Sequence, residues 1–339
     1  MKAKFISALA AASIALAIAS SGAQAAKPIV GLITKTESNP FFVKMREGAQ
    51  TTAAKLGLDL RTFAGKYDGD NEAQVNAIEN LISAGAAGIA IVPADSAAIV
   101  PTIKKARDAG ILVIVLDTPL EPMDAAEATF ATDNRAAGNM IGAWAKGMLG
   151  DKAKSAKIVF LDVSPNQPTV DYLRDQGFMQ GFGIDVKNPN RIGDENDPRI
   201  CSHEMSEGDA AKGRTGMENA LQKCPGVNLV YAVNESAGAG AYEALKQAGV
   251  EKDVLIVAVD GSCPGVKNIA DGVIDATAQQ YPLKMAALAL EAIAKFAADG
   301  TRPKVGENGF FDTGANLITA TPVKGVPSLS VDEGLKLCF

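Results

Sequence analysis

The sequence is poor in the residues from which zinc centres are built. It has a single histidine, His203, and four cysteines, none of them in a Cys-x-x-Cys pair, whereas zinc sites combine several such ligands at short spacings. We therefore expect neither a metal nor a cofactor. The chain also lacks a Gly-x-Ser-x-Gly nucleophile elbow, so His203 is expected at the surface or beside a hinge rather than in a catalytic role.

Runs of basic residues and long apolar runs are also missing from most of the chain. Acidic residues outnumber basic ones, 39 to 33, and no Lys/Arg-rich stretch could track phosphates, which argues against a nucleic-acid partner. The apolar run at residues 111–116 is bounded by Gly110 and Asp117 and is far shorter than the roughly 20 residues of a membrane-spanning helix. We expect no transmembrane segment after the first 25 residues.

Residues 1–25 have the pattern of a secretory signal peptide. Lys2 and Lys4 precede an apolar, Ala-rich run that closes on Ala23-Gln24-Ala25, which is the small-x-small pattern of a cleavage site. No cysteine follows at once, so a lipid anchor is not expected. The sequence therefore predicts export to the periplasm.

All four cysteines follow the predicted cleavage site. An even number of cysteines in an exported chain is compatible with disulfides. We favour a bridge between Cys201 and Cys224, which flank one predicted helix, and this leaves Cys263 with Cys338. The sequence alone does not fix the pairing.

The chain alternates short apolar runs with amphipathic segments. Without residues 1–25, the 339-residue chain still exceeds the roughly 250–300 residues at which a single core stops growing, which predicts two lobes. Continuous Val/Ile/Leu strands between helices indicate a parallel sheet covered on both faces. The sequence predicts an α/β fold of two doubly wound lobes, with strands at residues 29–33, 58–63, 88–92, 111–116, 158–161, 229–233 and 254–259.

Polar residues follow several predicted strands directly. Ligands of open parallel sheets bind beyond the carboxyl ends of the strands, where this sequence places Asn39, Asp117, Asn234 and Asp260. Ionised carboxylates accept strong hydrogen bonds from hydroxyl groups, so Asp117 and Asp260 suit a polyol. Each of the four could equally be the N-cap of the helix that follows.

Two aromatic residues stand beside the first of these strand ends. In Ser38-Asn39-Pro40-Phe41-Phe42, the proline suits the first turn of a helix. Phe41 and Phe42 could cover the apolar face of a sugar ring, or they could pack into the core.

These motifs, in this order, resemble those of type I periplasmic sugar-binding proteins of the ribose-binding class, which are soluble receptors of ABC importers. The resemblance covers essentially the whole chain after residue 25. It implies two lobes joined by three crossings, near Thr132/Asp133, Gln280/Tyr281 and Phe311/Asp312. The N-terminal lobe would contain residues 27–132 and 281–311, and the C-terminal lobe residues 133–280 and 312–339. Further motifs that carry the resemblance are Ile114-Val115-Leu116-Asp117, Thr132-Asp133-Asn134, Arg174-Asp175-Gln176-Gly177-Phe178, Tyr231-Ala232-Val233-Asn234-Glu235, Val259-Asp260-Gly261 and Ala278-Gln279-Gln280-Tyr281-Pro282.

The resemblance also implies a set of ligand-binding residues. Phe41 or Phe42 would cover the ring, and Arg174 would bond the ligand, unless it forms an ion pair with nearby Asp171 or Asp175. The side chains implied to bond sugar hydroxyls are those of Asn39, Asp117, Asn234, Asp260 and Gln280.

Departures from the ribose-binding pattern put the identity of the sugar in question. Lys35, Thr118 and Tyr172 stand where such relatives carry other residue types, and Val259 replaces an aromatic residue. With Asp133, the first three are further candidates for ligand contact. A hexose such as fructose is favoured, with a pentose or a cyclitol as the alternatives. The implied partners are this ligand and an ABC transporter permease, and the receptor is expected to be a monomer.

Other functions find less support in the sequence. An exported carbohydrate-active enzyme could use Asp117 and Asp260 as acid and base, and a repressor could carry similar lobes behind a DNA-binding head, for which no segment is predicted. Gly238-Ala239-Gly240 lacks the third glycine of a dinucleotide fingerprint. The loop at residues 65–70 lacks the glycine and glutamate of a calcium loop and is interpreted as a turn.

Overall fold

The computed structural model describes residues 26–339, so the predicted signal peptide lies outside the described residues. Within them, no helix combines the length and apolar character that crossing a membrane requires. The strands are β1 (Ile29–Thr34), β2 (Asp59–Ala64), β3 (Gly88–Ile91), β4 (Leu112–Leu116), β5 (Ala128–Ala131), β6 (Ile158–Asp162), β7 (Ile200–Met205), β8 (Leu229–Ala232), β9 (Leu255–Asp260), β10 (Ala276–Gln279), β11 (Phe310–Asp312) and β12 (Asn316–Thr319). The α-helices are α1 (Pro40–Leu56), α2 (Asn71–Ser83), α3 (Val100–Asp108), α4 (Asn134–Leu149), α5 (Thr169–Phe182), α6 (Ala210–Lys223), α7 (Glu235–Ala248), α8 (Cys263–Ala270), α9 (Pro282–Asp299) and α10 (Val331–Leu337).

The strands form two separate six-stranded sheets, ordered β11-β5-β4-β3-β1-β2 and β12-β10-β9-β8-β6-β7. Neighbouring strands are parallel except for β12, which runs antiparallel to β10. Each sheet has an apolar core on both faces: α1 and α9 cover one face of the first sheet, and α2 and α3 cover the other. In the second sheet, α4 and α5 lie opposite α6, α7 and α8. The predicted pair of doubly wound α/β lobes is confirmed.

The chain crosses between the sheets three times: between β5 and α4, between β10 and α9, and between β11 and β12. Helix α9 returns to the first sheet, where it packs against α1 and β3. We propose that the lobes divide at these crossings, with residues 27–132 and 281–311 in the N-terminal lobe and residues 133–280 and 312–339 in the C-terminal lobe.

Both disulfides lie in the C-terminal lobe. Cys201 of β7 is bonded to Cys224 at the end of α6, and Cys263 of α8 is bonded to Cys338, which follows α10. This is the pairing that the sequence analysis favours. The second bridge also positions Phe339, whose ring packs edge-on against Phe41 of the N-terminal lobe at 5.6 Å between ring centroids.

Candidate ligand site between the lobes

The carboxyl ends of the parallel strands of both sheets face a small cavity between the lobes. Its volume is about 30 Å³, which is room for a few water molecules at most, so a sugar requires the lobes to separate or the lining side chains to turn. The N-terminal lobe contributes Lys35, Asn39, Phe41, Phe42, Asp68 and Asp117, and the C-terminal lobe contributes Val163, Val170, Arg174, Gly208, Val233, Asn234 and Asp260.

Hydrogen bonds beside the cavity join the two lobes directly. The backbone N–H of Thr169 donates to the Ser96 hydroxyl at 3.0 Å, and the Thr169 hydroxyl donates to the carbonyl of Pro119 at 2.5 Å. Nearby, Asn166 donates to the carboxylate of Asp95 at 3.1 Å. The lobes are therefore in a closed arrangement.

The two phenylalanines at the start of α1 combine the two roles that the sequence left open. Phe41 and Phe42 are both buried in the N-terminal core and both line the cavity. Their rings meet edge to face with centroids 5.4 Å apart. Asn39 caps this helix, because its Oδ1 accepts the N–H of Phe41 at 2.9 Å, and it too lines the cavity.

Arg174 is the best-anchored cation of the cavity. Its Nε donates to Oδ1 of Asn134 and its Nη1 to the carbonyl of Val233, both at 2.8 Å, while Nη2 lies 3.7 Å from Oδ1 of Asp117. Helix α5 packs closely against α4 because α4 has a glycine, Gly138, at the contact. A side chain at this position would collide with the carbonyl of Arg174. The ion pair of Arg174 is thus with Asp117 across the cleft, and the structure gives none with Asp171 or Asp175.

Asp117 has a strained backbone conformation, and one oxygen of its carboxylate can still accept a hydrogen bond. Its φ is 60°, which lies in the left-handed region that favours glycine. Oδ2 accepts the Thr118 hydroxyl at 2.8 Å, and the buried Oδ1 has no hydrogen-bond partner in the part of the chain that the structure describes. Thr118 therefore orients Asp117 and does not itself line the cavity.

Asp260 has an equivalent supporting residue in the second lobe. Its Oδ1 accepts Nε2 of Gln280 at 3.0 Å, and Gln280 itself is outside the cavity lining. Burial raises the pKa of Asp260 well above its ordinary value, although the positive charge of Arg174 opposes this. A hydroxyl donor brought to this carboxylate would replace hydration lost on burial.

The remaining predicted residues differ in their placement. Asn234 lines the cavity, but its Oδ1 accepts the N–H of Ala237 as the cap of α7, and its Nδ2 donates to the carbonyl of Gly208. Tyr172 does not line the cavity, and burial raises its pKa to about 12. Asp133 is exposed at the first crossing, where it caps α4. The structure thus brings neither Tyr172 nor Asp133 to the cavity.

Sequence reasoning missed an acidic residue of the cavity wall. Asp68 lies in the loop after β2, and its Oδ1 is 3.3 Å from Nζ of the buried Lys35. Burial raises the pKa of Asp68, with the lysine acting against that shift. The loop at residues 65–70 is predicted from its sequence only as a turn, but it follows the carboxyl end of β2, where a polar side chain is expected to face the ligand as at the other strand ends. No comparable signal marks Val163, Val170 or Gly208.

Glu235 follows a predicted strand end but is absent from the predicted ligand set, and in the structure it builds the turn after Asp260. The buried carboxylate accepts the N–H groups of Gly261 and Ser262 at 2.8 and 3.0 Å, and the Ser262 hydroxyl at 2.5 Å. Burial raises the pKa of Glu235 from 4.5 to about 7. Glu235 therefore stabilises the turn that follows Asp260 and does not itself line the cavity.

The raised pKa of Glu235 predicts a pH dependence of stability. The folded chain retains this proton in a range where the unfolded chain has lost it, so the stabilisation is complete below about pH 4.5 and is lost as the pH rises through about 7. Urea unfolding should show the free energy of unfolding of the wild type falling more between pH 5 and 8 than that of Glu235→Gln, by on the order of 1–3 kcal/mol. Glu218→Gln, which changes an exposed carboxylate, is the control, and equal pH slopes for all three proteins would contradict the assignment.

His203 lies neither at the open surface nor beside a hinge, which corrects the sequence expectation. It is on β7, with its side chain 16% exposed and its Nδ1 2.9 Å from Oδ2 of Asp162. Burial by itself lowers the pKa of His203, but the neighbouring carboxylates, led by Asp162, outweigh that effect and raise the pKa.

Comparisons with known proteins agree with this geometry. A family model described as a periplasmic binding protein domain matches residues 30–301. A ribose import binding protein of Bacillus subtilis is 31% identical over 263 residues, which cover 78% of this chain and 79% of that protein. A D-ribose/D-allose-binding protein of Pseudomonas aeruginosa is 27% identical, covering 87% and 89% of the two chains. Among solved structures, an ABC transporter solute-binding protein of Mycobacterium smegmatis with bound glycerol has a TM-score of 0.72 and 28% identity, over 86% of this chain and 93% of that one.

Proposed function

The chain belongs to the periplasmic binding protein family, and we propose that it captures a monosaccharide between its two lobes and delivers it to an ABC importer. It is a solute receptor rather than an enzyme, because the proteins that it matches along its length are binding proteins of import systems. The periplasm is the proposed location, supported by the family and by the predicted signal peptide of residues 1–25.

The observation that supports a sugar most directly is the mixed lining of the cavity. Two cations, Lys35 and Arg174, and three carboxylates, Asp68, Asp117 and Asp260, face one small volume. The cations donate hydrogen bonds and the carboxyl groups accept them, and hydroxyl groups serve as donor and acceptor alike. Such a lining suits a neutral polyol better than a ligand of one charge.

The apolar part of the lining suits the carbon face of a ring. Phe41 and Phe42 border the cavity from the N-terminal lobe, and Val163, Val170 and Val233 border it from the other lobe. A sugar ring between them would have its C–H groups covered while its hydroxyls reach the charged side chains. We propose Asn39, Asp117, Arg174, Asn234 and Asp260 as direct ligand contacts, with Gln280 and Thr118 orienting the two carboxylates.

A hexose such as fructose is our preferred ligand, with a pentose or a cyclitol as the alternatives. Lys35 and Asp68 extend the polar wall beyond Asp117 and Asp260, which provides hydrogen-bonding groups for a sugar with more hydroxyls than ribose has. The Pseudomonas aeruginosa relative is named for both a pentose and a hexose, so a scaffold of this kind accommodates either size.

Ligand capture would favour the closed form. The proposed contacts come from both lobes, so a sugar that bonds them all binds the closed form more tightly than the open one and shifts the population towards it. The contacts of Ser96 with Thr169 and of Asn166 with Asp95 then add to closure. We propose that the closed, loaded receptor is the form that the permease recognises.

Isothermal titration tests the ligand class. The protein is stripped of ligand by unfolding and refolding and is then titrated with pentoses, hexoses and cyclitols. Asp260→Ala is titrated in the same way. The control is Asp275→Ala, which removes a carboxylate of the same lobe that lies outside the cavity. We expect saturable binding of one sugar by the wild type and the control, and none by Asp260→Ala. Flat titrations across the whole panel would reject a monosaccharide ligand.

A further inference from the structure

A second cluster of ionisable side chains lies inside the C-terminal lobe, apart from the ligand cavity. His203 of the edge strand β7 faces Asp162 at the end of β6 and Asp175 of α5. Its Nδ1 is 2.9 Å from Oδ2 of Asp162 and 3.8 Å from Oδ2 of Asp175. On the other side of the ring, Nε2 is 3.7 Å from Oε2 of Glu195, which belongs to the loop between α5 and β7.

Two of the acidic members, Asp162 and Asp175, are buried with oxygens that no donor of the described chain reaches, whereas Glu195 accepts from Gln176 and from the N–H of Gly193. Asp162 and Asp175 are fully buried, and within residues 26–339 neither carboxylate oxygen of Asp175, nor Oδ1 of Asp162, has a hydrogen-bond partner. The hydroxyl of Tyr231, also fully buried, has no hydrogen-bond partner in that range either. Among the described residues, no lysine or arginine forms an ion pair with Asp162, Asp175 or Glu195, so three carboxylates surround one imidazole.

Even a charged His203 carries one positive charge against three carboxylates, and a bound metal ion would compensate the remainder. Buried carboxylates are costly unless they are paired or coordinate a metal, and Asp162, Asp175 and His203 each offer one ligand atom, all within 4.8 Å of one another. Ligand atoms about 2.0–2.1 Å from a tetrahedral Zn²⁺ lie about 3.3 Å apart. The Nδ1–oxygen distances of 2.9 and 3.8 Å bracket this value.

The second ring nitrogen has a carboxylate nearby. A metal-binding histidine commonly donates its other N–H to a carboxylate, which fixes the tautomer. Oε2 of Glu195 lies 3.7 Å from Nε2 and accepts the N–H of Gly193, so the ring must move towards Glu195 for that bond to form. An imidazole ligand favours zinc and similar transition metals over calcium or magnesium, which take oxygen ligands.

We propose that Asp162, Asp175 and His203 bind one Zn²⁺ through Nδ1 and two carboxylates, with Glu195 orienting the imidazole. The metal would join β6 and β7 to α5, the helix that carries Arg174 next to Asp175 in the chain. Access would be from the edge of the sheet, where the His203 side chain is partly exposed. Its role is structural support for the sugar-binding lobe.

Zinc titration of untagged, chelator-dialysed protein tests the proposal. His203 is the only histidine of the chain, and all four cysteines are in disulfides. A zinc ion bound through an imidazole nitrogen must therefore be bound at His203. We expect one zinc per chain by elemental analysis, a rise in the melting temperature of about 4 °C at 100 times Kd, and a zinc-dependent shift of the Nδ1 resonance in ¹⁵N NMR. Asp175→Asn should lose all three responses, whereas Asp151→Asn, which changes an exposed carboxylate, should keep them.

Several results would overturn the proposal. Zinc content well below one per chain, an unchanged imidazole resonance, or full zinc binding by a folded Asp175→Asn would each do so. A melting-temperature response to Ca²⁺ or Mg²⁺ without one to Zn²⁺ would overturn the choice of metal. If Asp175→Asn does not fold, the NMR titration of the wild type decides alone, because it observes the proposed ligand atom directly.

Discussion

Alanine in place of Arg174 should lower the affinity for the sugar by at least about 100-fold, or about 2.7 kcal/mol. The guanidinium is buried in the cavity wall, with Nε and Nη1 held by Asn134 and Val233 and Nη2 facing Asp117. Without it the ligand loses a charged donor, and Asp117 and Asp260 lose the cation between them. Removing one partner of a buried ion pair also destabilises the fold, by about 3 kcal/mol or more.

Two further arginine variants make this prediction specific. Arg174→Lys keeps the charge but loses the planar fork that bonds three groups at once, so its affinity should lie between those of the wild type and the alanine variant. Arg214→Ala removes an exposed arginine paired with Glu218 and should leave sugar affinity unchanged. Titration calorimetry gives the affinities, and circular dichroism confirms folding. Wild-type affinity in a folded Arg174→Ala would exclude Arg174 from the ligand site.

Replacing both Cys263 and Cys338 with serine should lower stability and sugar affinity together. A bridge that closes a sequence separation of 75 residues stabilises by about 4 kcal/mol in the chain-entropy model. This bridge also holds Phe339 against Phe41, and the carbonyl of Phe339 accepts the N–H of Cys263. Loss of the tether should therefore loosen a wall of the sugar site, with an affinity loss of about tenfold.

The other disulfide is the matched control. Cys201–Cys224 closes a separation of 23 residues, and the corresponding double serine variant should lose about 3 kcal/mol of stability with little change in affinity, because neither cysteine lines the cavity. Urea unfolding and titration calorimetry measure the two quantities for both variants. Equal affinity losses in the two variants would show that general destabilisation, and not the contact between Phe41 and Phe339, is the cause.

The sequence was most informative where residue type and strand ends coincide. Asn39, Asp117, Asn234 and Asp260 follow apolar strands, and all four line one cavity because parallel strands of one sheet end at the same edge. A residue can cap a helix and border the cavity at the same time, as Asn39 and Asn234 both do. The same rule, extended to β2, would have included Asp68.

Other parts of the structure have no signal in a single sequence. Strand β10 has the sequence Ala-Thr-Ala-Gln, which is too short and too polar to be recognised as a buried strand. In the structure all four of its residues are buried. The pairing of His203 with Asp162 and Asp175 brings together β7, β6 and α5, and no spacing along the chain indicates that contact. The position of Phe339 depends on the Cys263–Cys338 disulfide and on Phe41 of the opposite lobe, so its role too follows only from the tertiary structure.

Small-angle X-ray scattering of the stripped protein, with and without a saturating amount of the sugar that titration identifies, tests the central claim most directly. At a sugar concentration about ten times the Kd of the wild type, capture between the lobes predicts a smaller radius of gyration with sugar than without it for the wild type. Arg174→Ala should show little change, because an affinity at least about 100-fold weaker leaves most of it without sugar. Saturable sugar binding with an unchanged radius of gyration would contradict the claim, because the ligand would then bind without closing the cleft.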